Sequence, residues 1–354
     1  MFLVGLATSV PPYRYTQQQC WEAVEASGPY ASLVPAARTL FRKLLVGAKG
    51  AVATRYLSLE NLSEAFALHP DALAARFERN APRLAVDSAR KALEQAGVEP
   101  REVDALLVST CTGYLCPGLS SHVAGALGLR REVQALDLVG QGCGAALPNW
   151  RTAAQLLAGP GVQTVLSICV EITSAALYLD NDPGVLVSAS LFGDGAAAAV
   201  LTARPSPRTR RVRWVTGGGV LRPEASSLLR METRNGMLRN ILAREVPALA
   251  GEAAREVVAT VLKREGLSPA AIGAWIFHPG GREVLLALRR SLGLQESDLA
   301  LSAAVLREYG NMSSPSVLFV LERALQCRTP GGWWWMASFG AGFSSHGALL
   351  EVAD

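Results

Sequence analysis

Residues 140–159, GQGCGAALPNWRTAAQLLAG, form a small-residue turn that leads into a helix predicted over 145–158, which stops at a Gly-Pro pair. Two apolar runs rich in β-branched residues flank this helix, at 103–110 (VDALLVST) and 162–170 (VQTVLSICV). Each run is long enough for a buried strand. A strand, a helix and a strand in this order predict an α/β protein with a largely parallel sheet and helices on both faces.

The clearest single helix is predicted over 82–96. Asn80 is positioned to cap it, Pro82 suits its first turn and Gly97 suits its end. Apolar residues recur at helical spacing along this segment and give it one buried face. Further buried strands are predicted at 196–202, 273–277 and 333–339.

The two halves of the chain repeat one order of elements. In each half a strand, a long connection and a glycine-rich turn that opens a helix precede another strand; the turn carries Cys143 in the first half and Asn311 in the second. We therefore predict an internal duplication with domains at 1–205 and 206–354. A pseudo-twofold axis between them would bring the two turns together. The join is expected near 205–211, where prolines and arginines interrupt the apolar pattern.

Composition limits the classes of protein that this chain can be. Half of its 354 residues are hydrophobic and 18% are charged, which favours a large buried core over disorder. The net charge of +4 is too small to indicate a nucleic-acid partner, and we interpret the basic run at 208–213 as a solvated connector. No run of 18 apolar residues predicts a membrane span. Residues 1–12 are typical of a first core strand, not of a signal peptide.

The six cysteines are scattered through mostly apolar segments, which indicates free thiols and a cytoplasmic location. Cys111 and Cys116 have a loose metal-like spacing, but no second pair completes a zinc set, so no metal site is expected.

Three polar residues on glycine-rich turns are candidates for a catalytic site. A thiol at a helix N-terminus, such as Cys143, is favoured as the nucleophilic thiolate. His278 ends an apolar strand, where open α/β sheets place their chemistry, and Asn311 lies in a third turn. Together they suit a nucleophile, a base and an oxyanion donor, with the imidazole holding the thiolate as an ion pair. Taken singly, each has a structural alternative: a buried thiol, a loop histidine or a helix-capping amide.

Six short motifs extend these observations over most of the chain. They are GQGCGAA at 140–146, VEIT at 170–173, FGDGA at 192–196, FHPGG at 277–281, YGNMSS at 309–314 and FGAG at 339–342. In these motifs the chain resembles the type III polyketide synthases, the chalcone-synthase-like branch of the thiolase superfamily. The resemblance implies a homodimer with a thiolase-like fold, in which two duplicated α/β halves form a five-layered αβαβα core.

The resemblance also implies a reaction and residue roles. The enzyme would condense malonyl-CoA repeatedly onto an acyl-CoA starter, with both substrates as coenzyme A thioesters and with no cofactor. Cys143 would hold the growing chain, while His278 and Asn311 would assist decarboxylation of malonyl-CoA. Phe192 would be the gatekeeper phenylalanine between the coenzyme A tunnel and the cavity.

Departures from the family pattern bear on the starter. The resemblance places Asn240 at the second gatekeeper position, Cys116 on a loop that reaches the partner subunit's cavity, and Gly144 where chalcone synthases have a bulky residue. Lys49 and Arg55 are expected at the mouth of the coenzyme A tunnel. Small residues in and around the cavity predict room for a fatty acyl starter and an alkylpyrone or alkylresorcinol product. The small residues expected to line the cavity are Thr112, Ala176 and Ser313.

Three alternatives remain open on sequence grounds. One is a ketoacyl-ACP synthase III-like enzyme that makes a single condensation on a carrier protein, against which the surroundings of His278 and Asn311 argue. Another is a type III synthase that starts from an aryl-CoA or from malonyl-CoA alone. The third is a non-catalytic acyl-CoA-binding relative, which the complete Cys-His-Asn set disfavours.

Overall fold

The computed structural model of the protein describes residues 1–47, 50–66 and 68–353. Within these ranges the chain forms thirteen β-strands and eleven α-helices. The strands are β1 (Phe2–Ser9), β2 (Arg14–Thr16), β3 (Thr54–Tyr56), β4 (Ala105–Thr110), β5 (Gln134–Val139), β6 (Thr164–Glu171), β7 (Gly195–Thr202), β8 (Val212–Leu221), β9 (Leu229–Arg234), β10 (Met237–Leu242), β11 (Ile272–Phe277), β12 (Gly332–Gly340) and β13 (Ser344–Val352). The helices are α1 (Gln17–Glu25), α2 (Gly28–Ala31), α3 (Pro35–Val46), α4 (Pro70–Ala96), α5 (Leu119–Leu127), α6 (Ala146–Ala158), α7 (Pro183–Leu191), α8 (Val246–Arg264), α9 (Arg282–Leu292), α10 (Ala300–Tyr309) and α11 (Ser316–Gln326).

Nine strands form one sheet in the order β11-β12-β13-β8-β1-β7-β6-β4-β5. The sheet consists of two half-sheets, because β1 and β8 pair only where Phe2 and Leu3 meet Arg213 and Val212. Strand β4 runs parallel to β5 and β6, and β11 runs parallel to β12, whereas the other pairings are antiparallel. The three parallel pairings connect strands on either side of α6 and α11, as a βαβ pattern predicts. The other five pairings are antiparallel, so the largely parallel sheet predicted from sequence is wrong. Short connections without a helix, such as residues 341–343 between β12 and β13, join strands as antiparallel neighbours.

Two helices lie between the half-sheets. Helix α6 contacts β4 and β6 on one side and β12 and β13 on the other, and α11 contacts β1, β7, β11 and β12. Helix α4 covers the outer face of the first half-sheet, and α8 with α9 covers that of the second. The layers therefore run αβαβα, which confirms the predicted thiolase-like fold. The central apolar core includes Leu147, Trp150, Val317, Leu321, Trp334 and Met336.

The helix expected over 82–96 begins earlier than the sequence pattern indicated. Helix α4 starts at Pro70, so Pro82 stands inside it and Asn80 is not its cap; the Asn80 Nδ2 donates instead to the backbone carbonyl one turn before it. Leu73 and Phe77 are buried and extend the apolar face of α4 by more than two turns. The free energy gained by burying them exceeds the cost of the backbone hydrogen bond that Pro82 cannot donate. Gly97 ends the helix in the left-handed region, at φ 66°, as predicted.

Other composition-based expectations have structural counterparts. Among the helices of the described residues, none combines the length and apolar character needed to cross a membrane. All six cysteines are free. The basic run at 208–213 is partly bonded and not simply solvated, because Arg210 donates to the carbonyls of Thr329 and Ala353. This run begins in the connection between β7 and β8, where the domain boundary is predicted, and continues into the first residues of β8.

Candidate active site

Cys143 lies in a short 3₁₀ turn, Gly142–Gly144, between β5 and α6. The turn packs on the end of β12, where the Ser338 hydroxyl donates to the Gly144 carbonyl at 2.9 Å. A Cβ atom on Gly144 would lie 3.0 Å from the backbone nitrogen of Gly340, so a larger residue would have to displace the backbone. Gly144 therefore makes close packing possible and does not widen the cavity, contrary to the expectation from sequence.

The sulfur of Cys143 accepts a hydrogen bond from the Ser313 hydroxyl at 3.2 Å. Burial raises the pKa of the Cys143 thiol to about 11, an effect that the Ser313 hydrogen bond opposes. Ser313 is itself held in the left-handed region, at φ 61°, and its backbone nitrogen donates to the Asn311 side chain at 2.8 Å. A serine at positive φ has a strained backbone, and the hydrogen bonds of Ser313 to Cys143 and Asn311 keep it in this conformation.

Asn311 and His278 meet at Gly280. The Asn311 Nδ2 donates to the Gly280 carbonyl at 3.2 Å, while its Oδ1 accepts from Ser313, and these two bonds fix the orientation of the amide. A Cβ atom on Gly280 would lie 3.4 Å from the Nε2 of His278, so the imidazole lies over the same glycine. Contacts through Gly280 and Ser313 thus connect all three candidate catalytic side chains, from His278 to Asn311 to Cys143.

The His278 side chain is enclosed by protein. Its backbone nitrogen donates to the Ala337 carbonyl at 2.8 Å, which ties the end of β11 to β12. The imidazole is buried and its Nδ1 has no hydrogen-bond partner. Burial lowers the pKa of His278 to about 3, so the ring is neutral at neutral pH unless an anion forms beside it.

Glu171 is a buried carboxylate to which the sequence analysis assigned no role. Its Oε2 accepts bonds from the Thr110 hydroxyl, the Cys111 backbone nitrogen and the Thr112 hydroxyl, and its Oε1 accepts a 2.6 Å bond from Ser314. Burial raises the pKa of this carboxyl, and the hydrogen bonds oppose that rise. The network ties the end of β4 to the turn that carries Asn311. The sequence feature that could have indicated a role for Glu171 is its charge in an otherwise apolar strand.

Cys111 is a second thiol beside the candidate nucleophile. Its sulfur lies 3.3 Å from the Ser313 hydroxyl, on which the Cys143 sulfur also depends, and 3.3 Å from the Glu171 carboxylate. Burial, and to a smaller extent the negative charge of Glu171, raises the pKa of the Cys111 thiol well above its ordinary value. Cys111 also lines the cavity described next.

A cavity of about 120 Å³ opens at Cys143. Cys116 does not line it but is exposed on the loop after β4, and Lys49 lies outside the described residues. The candidate side chains that the structure does place in its wall are Thr112, Ala176, Phe192, Asn240, Ser313 and Arg55.

Two of these wall residues are fixed by hydrogen bonds. The Nη1 of Arg55 donates to the carbonyls of Ala189 and Phe192, at 2.7 and 3.0 Å, and the side chain is buried. This placement favours a role in positioning Phe192 over the predicted contact with coenzyme A phosphates. The Asn240 amide donates to the Ser188 hydroxyl at 2.8 Å and so holds β10 against α7.

Away from Cys143 the cavity wall becomes apolar. This apolar branch is formed by segments that are distant in sequence: α1, α3, the stretch after β3, the stretch before α7, and α7 itself. The apolar branch was not predicted from sequence, because no local pattern connects these segments. Its side chains include Val24, Phe41, Leu57, Leu59, Phe66 and Leu177.

The fold and this site correspond to known proteins. A family model described as FAE1/Type III polyketide synthase-like protein matches residues 63–265, and one described as chalcone and stilbene synthases, C-terminal domain, matches residues 219–351. The chain therefore belongs to the type III polyketide synthase family. It is a chalcone and stilbene synthase-like enzyme of the acyltransferase type.

Individual relatives agree with this placement. The chain is 33% identical to 1,3,6,8-tetrahydroxynaphthalene synthase of Streptomyces peucetius subsp. caesius, over 99% of this chain and 92% of that protein. It is 31% identical to 3,5-dihydroxyphenylacetyl-CoA synthase of Streptomyces toyocaensis, over 99% and 89%. Among solved structures, PKS-I from the brown alga Ectocarpus siliculosus superposes with a TM-score of 0.89 at 27% identity, over 99% and 97% of the two chains. The tetrahydroxynaphthalene synthase of Streptomyces coelicolor A3(2), at 23% identity and a TM-score of 0.87 over all of both chains, shows the same fold.

Proposed function

We propose that this enzyme holds a fatty acyl starter on Cys143, extends it with malonyl-CoA units, and releases an alkylpyrone or alkylresorcinol. The observation that carries the proposal is the apolar branch, which belongs to the same cavity as Cys143 and is lined by leucines, phenylalanines and valines. Such a surface favours an alkyl chain, because burying each methylene contributes about 0.8 kcal/mol.

Acylation begins when the Cys143 thiol transfers its proton to His278. The buried imidazolium and thiolate stabilise one another as an ion pair, and the Ser313 hydroxyl donates to the thiolate. The sulfur then attacks the thioester carbonyl of the starter, and the carbon–sulfur bond to coenzyme A breaks as its thiolate leaves. The acyl group is now bound to Cys143 at the entrance of the apolar branch.

Extension uses His278 and Asn311 as donors. The Asn311 Nδ2 carries two hydrogens, of which the Gly280 carbonyl takes one, so the other is available to the thioester oxygen of malonyl-CoA. His278 donates to the same oxygen from its Nε2. As the bond to the carboxylate breaks and CO₂ leaves, its electron pair forms an enolate whose negative oxygen these donors stabilise. The enolate carbon attacks the acyl-cysteine carbonyl and forms a carbon–carbon bond, and the carbon–sulfur bond to Cys143 breaks as its thiolate leaves. Loss of CO₂ drives this step, so we propose that no cofactor is required.

The relatives support a second candidate for the starter. Tetrahydroxynaphthalene and dihydroxyphenylacetyl-CoA, the products after which two relatives are named, are hydroxylated aromatic compounds without a long alkyl chain. An enzyme of this family that starts from malonyl-CoA alone is therefore the alternative. The apolar branch would then be occupied by the growing polyketide.

The test is product mass spectrometry with a panel of starters. Acetyl-CoA, hexanoyl-CoA to stearoyl-CoA, benzoyl-CoA and coumaroyl-CoA are each incubated with malonyl-CoA, and malonyl-CoA is also incubated alone. We expect the highest kcat/KM with a saturated acyl-CoA of medium or long chain. Products from malonyl-CoA alone, with no gain from fatty starters, would support the second candidate, and a single condensation that requires a carrier protein would reject both.

A matched pair of variants tests the nucleophile. Radiolabelled acyl-CoA is expected to label the wild type and the Cys327→Ala variant, whose substituted thiol is exposed and lies outside the cavity wall, but not the Cys143→Ala variant. Label retained on the folded Cys143→Ala protein would place the acyl group elsewhere, for instance on Cys111.

We further propose that the enzyme is a cytoplasmic homodimer. Strand β5 ends the sheet, and five of its six residues are exposed. An exposed edge that carries Leu136 and Val139 is a surface that proteins usually cover. Tyr114, on the same loop as Cys116, is a further large hydrophobic side chain that is 79% exposed.

A further inference from the structure

Helices α1 and α3 form one wall of the apolar branch. Cys20 and Val24 of α1 and Phe41 of α3 line it, and they are 4%, 7% and 2% exposed. These residues form one apolar cluster with Leu186 and Ala189 of α7. These three side chains are therefore shielded from solvent where they line the branch.

Phe41 is the point at which α3 reaches the cavity. Ala37, Phe41 and Leu45 recur every fourth residue and form the buried stripe of the helix. Only Phe41 of this stripe lines the cavity; Ala37 and Leu45 pack in the same cluster without reaching it. Phe41 is also the largest side chain of the three, so its ring occupies space into which an alkyl chain would otherwise extend.

We propose that Phe41 is a specificity-determining residue that sets the longest alkyl starter the enzyme accepts. The inference rests on the proposed use of a fatty acyl starter. An acyl chain on Cys143 extends along the apolar branch until its terminal methyl meets the Phe41 ring. A starter with further methylenes must fold back or leave them in the polar part of the cavity, where they gain nothing from burial. Ala23 of α1, which also lines the cavity, stands at the same end and is small.

The experiment measures kcat/KM for saturated acyl-CoA starters of increasing length with the purified full-length enzyme. In Phe41→Ala the optimum should move to longer chains, with a gain of about fourfold for each additional methylene that becomes buried. Ala23→Leu should move the optimum to shorter chains. Phe41→Leu retains much of the apolar contact and provides the test where the alanine variant folds poorly.

Leu45→Ala is the matched control. Leu45 lies one turn from Phe41, is 2% exposed and belongs to the same cluster, so its truncation destabilises the same helix without changing the cavity wall. We expect a lower stability in urea and an unchanged chain-length profile. Folded Phe41 variants with the wild-type profile, or an equal change in Leu45→Ala, would overturn the inference. If the wild type itself uses no fatty acyl-CoA, it is the proposed function that fails.

Discussion

The hydroxyl of Ser313 donates a hydrogen bond to the sulfur of Cys143 across 3.2 Å, although 170 residues separate them in the chain. Ser313 reaches this position through a left-handed backbone conformation that serine seldom adopts. The bond connects the turn of α6 to the turn that precedes α11, the two central helices. The proposed nucleophile, Cys143, and the proposed amide donor, Asn311, are therefore both hydrogen-bonded to Ser313.

Replacing Ser313 by alanine should make Cys143 less reactive. The hydroxyl donates more strongly to a thiolate than to a thiol, so its loss raises the pKa of Cys143 and lowers the thiolate fraction at a given pH. A hydrogen bond to a charged group contributes about 1.5 kcal/mol or more, so we expect alkylation by iodoacetamide at pH 8 to slow by about tenfold. Mass spectrometry of the Cys143 peptide measures the rate and separates it from labelling of Cys111.

Ser313→Gly separates the hydroxyl from the backbone strain. It should react as slowly as the alanine variant but be more stable by about 1 kcal/mol, because glycine adopts positive φ without a Cβ clash. Urea denaturation measures the difference. Equal alkylation rates in wild type and both variants would show that the 3.2 Å contact does not influence the thiolate.

The pH dependence of Cys143 alkylation should change in His278→Ala. Burial raises the pKa of the Cys143 thiol to about 11 while His278 is neutral, and the variant keeps that burial, so its rate should rise by about tenfold per pH unit through the alkaline range. The ion pair proposed above places a positive charge on His278 in the wild type, which favours the negative thiolate and moves the inflection to lower pH. Asn311→Ala removes only a neutral neighbour and should keep the wild-type inflection. Superimposable profiles for wild type and His278→Ala would exclude the ion pair.

Asn311→Ala should mainly slow the decarboxylation of malonyl-CoA. Loss of one oxyanion donor costs about 10²–10³-fold in rate, whereas transfer of the starter to Cys143 should be retained. Asn311→Asp should be at least as slow, because its carboxylate would face the Gly280 carbonyl where the amide now donates. Release of ¹⁴CO₂ from labelled malonyl-CoA and acyl labelling of Cys143 are measured on the same preparations. Decarboxylation at the wild-type rate in either variant would contradict the assignment.

A charge on the exposed edge strand should separate the proposed dimer. The native enzyme is expected to sediment with twice the mass of one chain. Leu136→Lys places an ammonium group on the β5 edge and should give a folded monomer. Val34→Lys adds the same charge to an exposed apolar residue before α3 and should leave the dimer intact. A wild-type monomer at micromolar concentration, or equal behaviour of the two variants, would refute an interface at β5.

Much of the fold follows from local patterns. Apolar β-branched runs predicted β4, β6, β7, β11 and β12, and Gly97 predicted the end of α4, because strand burial and left-handed helix ends leave residue-type signals in the sequence. Strand β5, which directly precedes α6, was not predicted, because five of its six residues are exposed. The start of α4 did not follow. Proline usually marks a first turn, and only packing of the segment before Pro82 against the core shows that the helix continues through it.

Local sequence patterns indicated the alternation of strands and helices and the three turns that carry Cys143, His278 and Asn311, while the αβαβα layers followed from the resemblance to the type III polyketide synthases. Tertiary structure alone decided how these turns connect: through Ser313, through the Gly280 carbonyl, and through the Glu171 network that sequence left without a role. The tertiary structure also decided that Gly144 packs on Gly340 and that α1 and α3 line the cavity. The reason is separation along the chain, because periodicity and turn chemistry depend only on residues that are close in sequence. The orientation of an amide or the end of a cavity depends on atoms that only folding brings together.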